Sequence, residues 1–498
     1  MGYVQGVERG QISLLSLEDM VDEKGMVRVI DRFIEVTDLE KLGFERTTPA
    51  WTGRPGYAPK ALAKLHVYGY ENGIRSSRKL EREAKRNVEV MWLVEGVTPD
   101  HKTIAEFRKN HLRPLQKLFR EFVKLCKAWD LIGGELEAFD GSKFKASNNK
   151  KMNFSRKKLD ARLARLDEKI QEYLTDMEKN DKAEMVSETD TEKILELKQL
   201  LERKDLYEAY KKQLEESGEN ELSVVDPDAR LMSSGQGSVD MAYNVQSAVD
   251  GKHDIVVAWD VSMNPSDQHQ LGNMVRKVKH TLKVRRFILL ADKGYYSGKD
   301  LHQVKRYKVT AIVPRQNPSD PKNLPAEFHS ERFVYDAKSD TYLCPMGQRL
   351  RTPNAKAVER RYYNRAACTN CPKKDGCIVG KVRFRTVARN KYAEVFEETD
   401  KRFAENPGLY KRRQQMVEHP FGTIKRTMIG GYFLLRTRRK VRTEVALLFL
   451  GYNLKRAVKV LGFEEIMARL DAISHSFICQ LSKNTIFYEI RSFCFSYS

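Results

Sequence analysis

The sequence predicts an α/β fold in which a run of alternating strands and helices is interrupted by two long inserts. Three observations carry this. The apolar run Phe287-Ile288-Leu289-Leu290-Ala291 ends at Asp292 and is followed by Lys293-Gly294, the length and ending of a buried strand. Residues 242–249 and 255–259 read as two further strands, with Asp250-Gly251 as a hairpin turn signal. Between the first predicted strand and these, Leu159, Leu163, Leu166 and Ile170 alternate steps of four and three, as do Ile194, Leu197 and Leu201. That spacing predicts a helical hairpin or short coiled coil over 155–216, its charged faces solvated.

Taken in order, residues 14–34 have helical spacing, and Thr47-Thr48-Pro49 breaks it. Thr52-Gly53-Arg54-Pro55-Gly56 reads as a hinge. Residues 59–129 are helical in pattern, with Leu62, Leu65 and Tyr68 on one face and Arg75, Arg78, Lys79 and Arg82 as a basic ridge. Thr98-Pro99-Asp100 starts another helix. Short basic helices with tight turns fit a helix-turn-helix-like DNA reader; the competing reading is a helical bundle with a solvated face. Residues 136–144 read as a strand on which Phe139 packs and Asp140 points to the other face. Asp226-Pro227-Asp228 is read as a turn before the strands resume. A helix over 267–282, the strand ending at Asp292, a helix over 300–307 and a strand over 309–313 complete the core. Residues 317–400 form a second insert, turn-rich and holding cysteines, and 407–460 a final helical block.

The chain has 498 residues and a formal net charge of +21, which points to a polyanionic partner and to more than one domain. No stretch is long enough to span a bilayer, no apolar segment opens the chain, and seven cysteines do not form a secreted disulfide pattern. A cytoplasmic protein without a membrane partner is expected. Residues 471–498, low in charge and containing Cys479 and Cys494, have no role legible in the sequence.

Three acids draw attention: Asp140 and Asp292 on predicted strands and Glu418 on the final helix. Two carboxylates on neighbouring strands and a third on a helix can bind two Mg²⁺ ions (or Mn²⁺), whose open positions admit water and phosphate. The order of elements matches an RNase H-like sheet. Residues 401–440 hold eleven Lys or Arg and only two acids, so Glu418 among them reads as a metal ligand amid phosphate clamps such as Lys425 and Arg426. The duller reading is one surface ion pair. Cys344, with Pro345 and Gly347 after it, joins Cys368, Cys371 and Cys377 in a set of four thiols that suits structural Zn²⁺. Four reduced thiols is the alternative.

These strings carry a resemblance. Phe139-Asp140-Gly141-Ser142, Asp226-Pro227-Asp228-Ala229-Arg230-Leu231-Met232, Tyr243-Asn244-Val245-Gln246, Ala291-Asp292-Lys293-Gly294-Tyr295 and Glu418-His419-Pro420-Phe421-Gly422-Thr423-Ile424-Lys425 together resemble the DDE transposases of bacterial insertion sequences, in the IS-four-like superfamily and its eleven-eighty-two group. The resemblance implies that Asp140, Asp292 and Glu418 are the catalytic, metal-binding acids. It also implies a Tyr-Arg-Glu-Lys signature on the last helix, met by Tyr410, Glu418 and Lys425. Four residues separate Arg413 from Glu418 where the pattern has three, and Gln414 holds the strict position. Residues 1–130 would then be a helical DNA-binding domain and 131–470 the catalytic domain, with inserts 151–222 (helical hairpin) and 317–400 (cysteine-containing). A homodimer would hold element terminal repeats and target DNA in a synaptic complex. The rivals are a nuclease on the same core without strand transfer, and a DNA-binding protein that has lost catalysis.

Overall fold

Among the described N-terminal residues seven helices share one core, the third buried on all sides along most of its length and the others packed around it. In order they are α1 (Met26–Val36), α2 (Leu39–Leu42), α3 (Pro59–Glu71), α4 (Ser77–Glu83), α5 (Val88–Leu93), α6 (His101–Asn110) and α7 (Leu112–Ala128). The computed structural model describes residues 14–48, 56–181, 188–233, 237–316, 323–354, 359–380 and 382–474. Residues 52–55 of the expected hinge, and Cys479 and Cys494, lie outside these.

Helical spacing from residue 14 overstates α1, which begins at Met26 after Gly25. Leu14 and Leu15 are exposed, and Ser16 and Asp19 satisfy each other locally, with the Ser16 amide donating to Asp19 Oδ2 at 2.9 Å. Such local bonds compete with helix formation. The start of α6 is as expected: Asp100 accepts from the amides of Lys102 (2.9 Å) and Thr103 (3.0 Å), satisfying first-turn donors that have no partner within the helix.

The central sheet follows. Its elements are β1 (Leu136–Lys145), β2 (Asn153–Ser155), the hairpin α8 (Arg156–Asp181) and α9 (Glu188–Ser217), β3 (Glu221–Ser223), β4 (Arg230–Ser233), β5 (Val239–Asp250), β6 (Val256–Ser262), α10 (Leu271–Leu282), β7 (Ile288–Leu290), α11 (Gly298–Arg306) and β8 (Thr310–Ile312). β5 is long enough to pair antiparallel with β1 along one edge while β4 and β6 share its other edge. β1 then pairs parallel with β7, and β7 with β8. The crossover through α10 buries Met274, Val275 and Val278. β2 and β3 pair with each other at the foot of the hairpin, which packs Phe154, Leu159 and Leu214 as its own small cluster.

The second insert contains β9 (Val334–Asp336), β10 (Thr341–Leu343), β11 (Arg349–Leu350), β12 (Glu359–Tyr363), α12 (Arg365–Thr369), α13 (Lys374–Cys377) and β13 (Thr386–Asn390). It has a separate core of Phe333, Tyr342, Leu350, Tyr362 and Val387. The chain ends its described part with α14 (Ala393–Glu405), α15 (Pro407–Thr423) and α16 (Arg438–Leu461). α16 joins the two halves of the molecule. Asn453 accepts from the Val256 amide (2.9 Å) and donates to its carbonyl (2.8 Å), while Gln116 of α7 donates to Thr443 (3.1 Å). One apolar core therefore runs from Val21 to Leu470. Asp226 and Asp228 form the expected turn and hold the start of α16, accepting from the amides of Thr437 (3.0 Å) and Arg438 (2.8 Å). Among the described residues no helix is long and apolar enough to cross a membrane.

Beneath the sheet, Glu137 is fully buried and neither of its carboxyl oxygens has a donor, whereas Asp250 across the ladder accepts from the Gly134 amide at 2.7 Å. Burial and then the charge of Asp250 hold Glu137 well above the usual carboxyl range. A folded pKa above the unfolded one gives stability that is full below the unfolded value and drains away as pH rises toward the folded value. Glu137→Gln is therefore expected to melt close to the parent at pH 5 and above it at pH 8. A constant difference in melting temperature across that range would refute the assignment.

Candidate active site

Parallel pairing of β1 with β7 sets Ala138 opposite Leu290. Carried on by two residues, the same register places Asp140 opposite Asp292, and a step of two returns to the same face. Two aspartates distant in sequence thus come side by side, Asp140 within β1 and Asp292 two residues past the end of β7. Asp292 also ends its strand: its Oδ1 accepts from the Gly294 amide at 2.8 Å and caps the turn Lys293–Tyr295. Asp140 is partly buried, and burial pushes its carboxyl up to about 6. Arg413 opposes that rise, while Asp292 and Asp267 add to it as like charges.

α15 crosses this face of the sheet. Arg413 donates through Nη1 to Asp140 Oδ1 at 3.4 Å, with its guanidinium 5.7 Å from the Tyr410 ring. Lys425, in the π-helical segment Ile424–Met428 that continues α15, donates to Ser142 Oγ at 2.6 Å. Burial lowers the Lys425 ammonium; Asp140 opposes this and Lys143 reinforces it. Glu418 lies between these two cations in sequence, but its side chain is exposed and accepts from Gln414 Nε2 at 2.8 Å. It shares a helical stripe with Gln414 and Lys425, and Lys425 reaches β1 from that flank. So Asp140, Asp292, Arg413 and Lys425 converge and Glu418 stands beside them, without contact to either aspartate. Among the described residues no group of three His, Cys, Asp or Glu side chains is gathered tightly enough to hold a metal ion.

A fourth acid, Asp267, was not anticipated. It lies in the loop between β6 and α10, and its Oδ1 accepts from Asn244 Nδ2 (2.7 Å), Gln246 Nε2 (2.8 Å) and Lys143 Nζ (3.3 Å). Tyr295, just past Asp292, donates to Gln246 Oε1 and ties the second aspartate's turn to this network. The glycines in both acid motifs become explicable. A Cβ on Gly141 would sit 2.3 Å from Asp267 Oδ1 and from Gln246 Nε2, and one on Gly294 2.9 Å from Asp292 Oδ1. A sequence signal did exist: Asn244 and Gln246 are alternate polar residues on one face of a buried strand, and such groups need partners.

One expected ridge residue needs correction. Arg75 is buried, not on a DNA-facing surface: Nη1 lies 3.1 Å from Oε1 of the fully buried Glu444, and Nη2 donates to the Tyr432 carbonyl at 2.9 Å. A buried carboxylate on α16 draws the guanidinium inward, since leaving either charge unpaired there is costly. Arg78, Lys79 and Arg426 are exposed. The four cysteines share one neighbourhood, since Cys368, Cys371 and Cys344 each raise the Cys377 thiol on top of its burial. They do not converge on one point. Cys344 forms a knuckle, its Sγ accepting from the Gln348 amide at 3.3 Å.

With this geometry in place, comparison adds three findings. Residues 15–110 match a family described as a transposase domain (DUF772), and residues 343–458 match one described as a transposase DDE domain. Glu418 and the four cysteines fall inside the second match, whereas Asp140 and Asp292 lie outside both. No curated protein matches the chain. Among solved structures, a piggyBac transposase synaptic complex with hairpin DNA is similar over 91% of this chain and 79% of that one, at 8% identity and a TM-score of 0.31, too low to specify a fold.

Proposed function

The chain is a DDE transposase of the insertion-sequence type, and from that premise we propose that it cleaves the phosphodiester bond at the ends of its element and joins the freed 3′ hydroxyl to target DNA. The observation that carries this reading is the closeness of Asp140 on β1 to Asp292 just past β7, near enough for their like charges to interact, with Arg413 of α15 and Lys425 of the segment after it reaching β1 beside them. The strand order supports an RNase H-like core: β6, β5 and β1 run as an antiparallel series, and β7 and β8 continue it parallel to β1. Residues 1–130 form the DNA-reading unit and 131–470 the catalytic unit, with inserts 151–222 and 317–400; the eleven-eighty-two group is the proposed assignment.

Enzymes of this family work with a divalent metal. The donor set fits: two neighbouring carboxylates offer hard oxygens, and a divalent cation would offset the burial and the like charges that raise Asp140. Asp140 and Asp292 would hold it, joined by Glu418 on release from Gln414. Bound there, Mg²⁺ or Mn²⁺ supplies Lewis acidity at the scissile phosphate. The chain's own part is to place charge. Arg413 and Lys425 offer donors to non-bridging phosphate oxygens; Tyr410 supports the Arg413 guanidinium from one side. The Asp267 network fixes β1, β5 and the Asp292 turn in one arrangement, so the two aspartates keep their spacing. In the second insert, the Cys344 knuckle and three neighbouring thiols would hold a structural Zn²⁺ by this reading only after drawing together around it.

The test incubates the protein with DNA carrying its own element's ends, a plasmid target and Mg²⁺, then maps cut and joined products. Cuts at the element boundary and 3′ ends joined to plasmid are expected. Hydrolysed ends alone would replace the reading with a nuclease, and uncut ends under every metal would remove catalysis from it.

A further inference from the structure

At the free edge of the sheet lies a cavity of about 280 Å³ that belongs to neither the acids nor the cysteines. α7 contributes Arg120, α10 Arg276, Lys277 and His280, and α16 Arg442, around the backbone of Val257–Trp259. One carboxylate serves this group: Asp260, nearly buried, meets Lys277 at 3.2 Å and pairs with Arg442 and, at 3.7 Å, Arg438. Arg120, Arg276 and His280 form no ion pair among the described residues. Arg120 and Arg276 stand exposed, so the cavity carries more positive charge than Asp260 offsets.

We propose that this cavity is a second DNA-backbone site, which takes a phosphodiester group on the unpaired Arg120 and Arg276, with Lys277 and Arg442, already held by Asp260, forming the wall behind them. The ligand class follows from the lining. The wall is cationic, which selects an anion. Trp259 is buried, with Arg442 5.2 Å and Lys277 5.8 Å from its ring centroid, so its face is already used and no base can stack there. A phosphate fits a pocket of guanidinium and ammonium donors. The place is apt as well. Asp140 pairs with Ser247, and Ser247 with Trp259, so the cavity lies two strands along the same row from the first acid, about 10 Å at ordinary strand spacing. Its identity as DNA rests on the transposase reading, because a protein that cuts one duplex and joins it to another must hold both; its character as an anion site does not.

The test compares the full-length parent with Arg120→Gln/Arg276→Gln and with Arg276→Gln alone, at exposed positions outside the acid site. Binding to an element-end duplex and to an unrelated duplex is measured in EDTA across a salt series, with metal-dependent nicking of the end duplex as a separate readout. Each phosphate contact contributes about 0.9 to the slope of log affinity against log salt. The double variant is expected to lose about 1.8 of slope and about tenfold in affinity at moderate salt, and the single variant about half that slope. Loss on both duplexes marks a contact open to target DNA, and loss on the end duplex alone marks an end contact; either supports the site. An unchanged slope on both duplexes, with folding intact by thermal melting, overturns it. Absent nicking together with a reduced slope would sink the catalytic reading and leave this one standing.

Discussion

Asp292→Ala is expected to lower cleavage at element ends by at least about 10³-fold while duplex affinity stays within about threefold of the parent. Losing ~4 kcal/mol of transition-state stabilisation corresponds to the first figure. The physical case is local. Asp292 sits two residues past the end of β7, its carbonyl accepting from the Tyr295 amide and its Oδ1 from the Gly294 amide, so it presents a carboxylate at fixed spacing from Asp140. Alanine keeps the strand but removes the charge and the cap. Because the cap organises Lys293–Tyr295, Asp292→Asn is the needed companion: its side-chain oxygen retains the cap and loses the charge. Both should be inactive if charge is what matters. Gel-based cleavage of a labelled end duplex, read alongside binding of the same duplex, decides it. Cleavage by Asp292→Asn at the parent's rate would dismiss Asp292 as a catalytic acid.

Arg75→Ala is expected to destabilise the fold by ~3–5 kcal/mol without altering duplex affinity per folded molecule. The guanidinium lies almost wholly out of water, bonded to Glu444 and to the carbonyls of Ile429 and Tyr432. Removing it strands a carboxylate that is fully buried and already raised by burial, with Arg75 its main counterweight. Replacing both partners, Arg75→Met with Glu444→Leu, should recover most of the loss, because apolar packing carries no desolvation penalty. Denaturant melts with a double-mutant cycle measure the coupling, and binding titrations on the folded fraction test the surface role. A drop in affinity at unchanged stability would return Arg75 to the DNA-facing ridge.

What the amino-acid sequence by itself determined is the identity and order of the core elements that carry local signals; β4 and the short strands of the two inserts were not among them. Local signals suffice for these: the run ending at Asp292, the Asp250-Gly251 turn between β5 and β6, the leucine spacing of the hairpin and the Asp100 cap each depend on near neighbours in the chain. The acidic residues and the basic final helix were legible for the same reason, as residue types in short strings. Which side chains meet was decided by the tertiary structure alone. Asp267 joins the acids because the loop after β6 folds back over Gly141, a contact between residues 126 positions apart. Arg75 looks like one more cation on a ridge until α16, some 370 residues later, delivers a buried carboxylate to it. Glu418 keeps its place on α15, yet its side chain turns to Gln414 instead of the aspartates, a choice made by a helix surface. Charge and periodicity are properties of the chain; pairing is a property of the packed state, where desolvation forces every buried charge to find a partner wherever the fold supplies one.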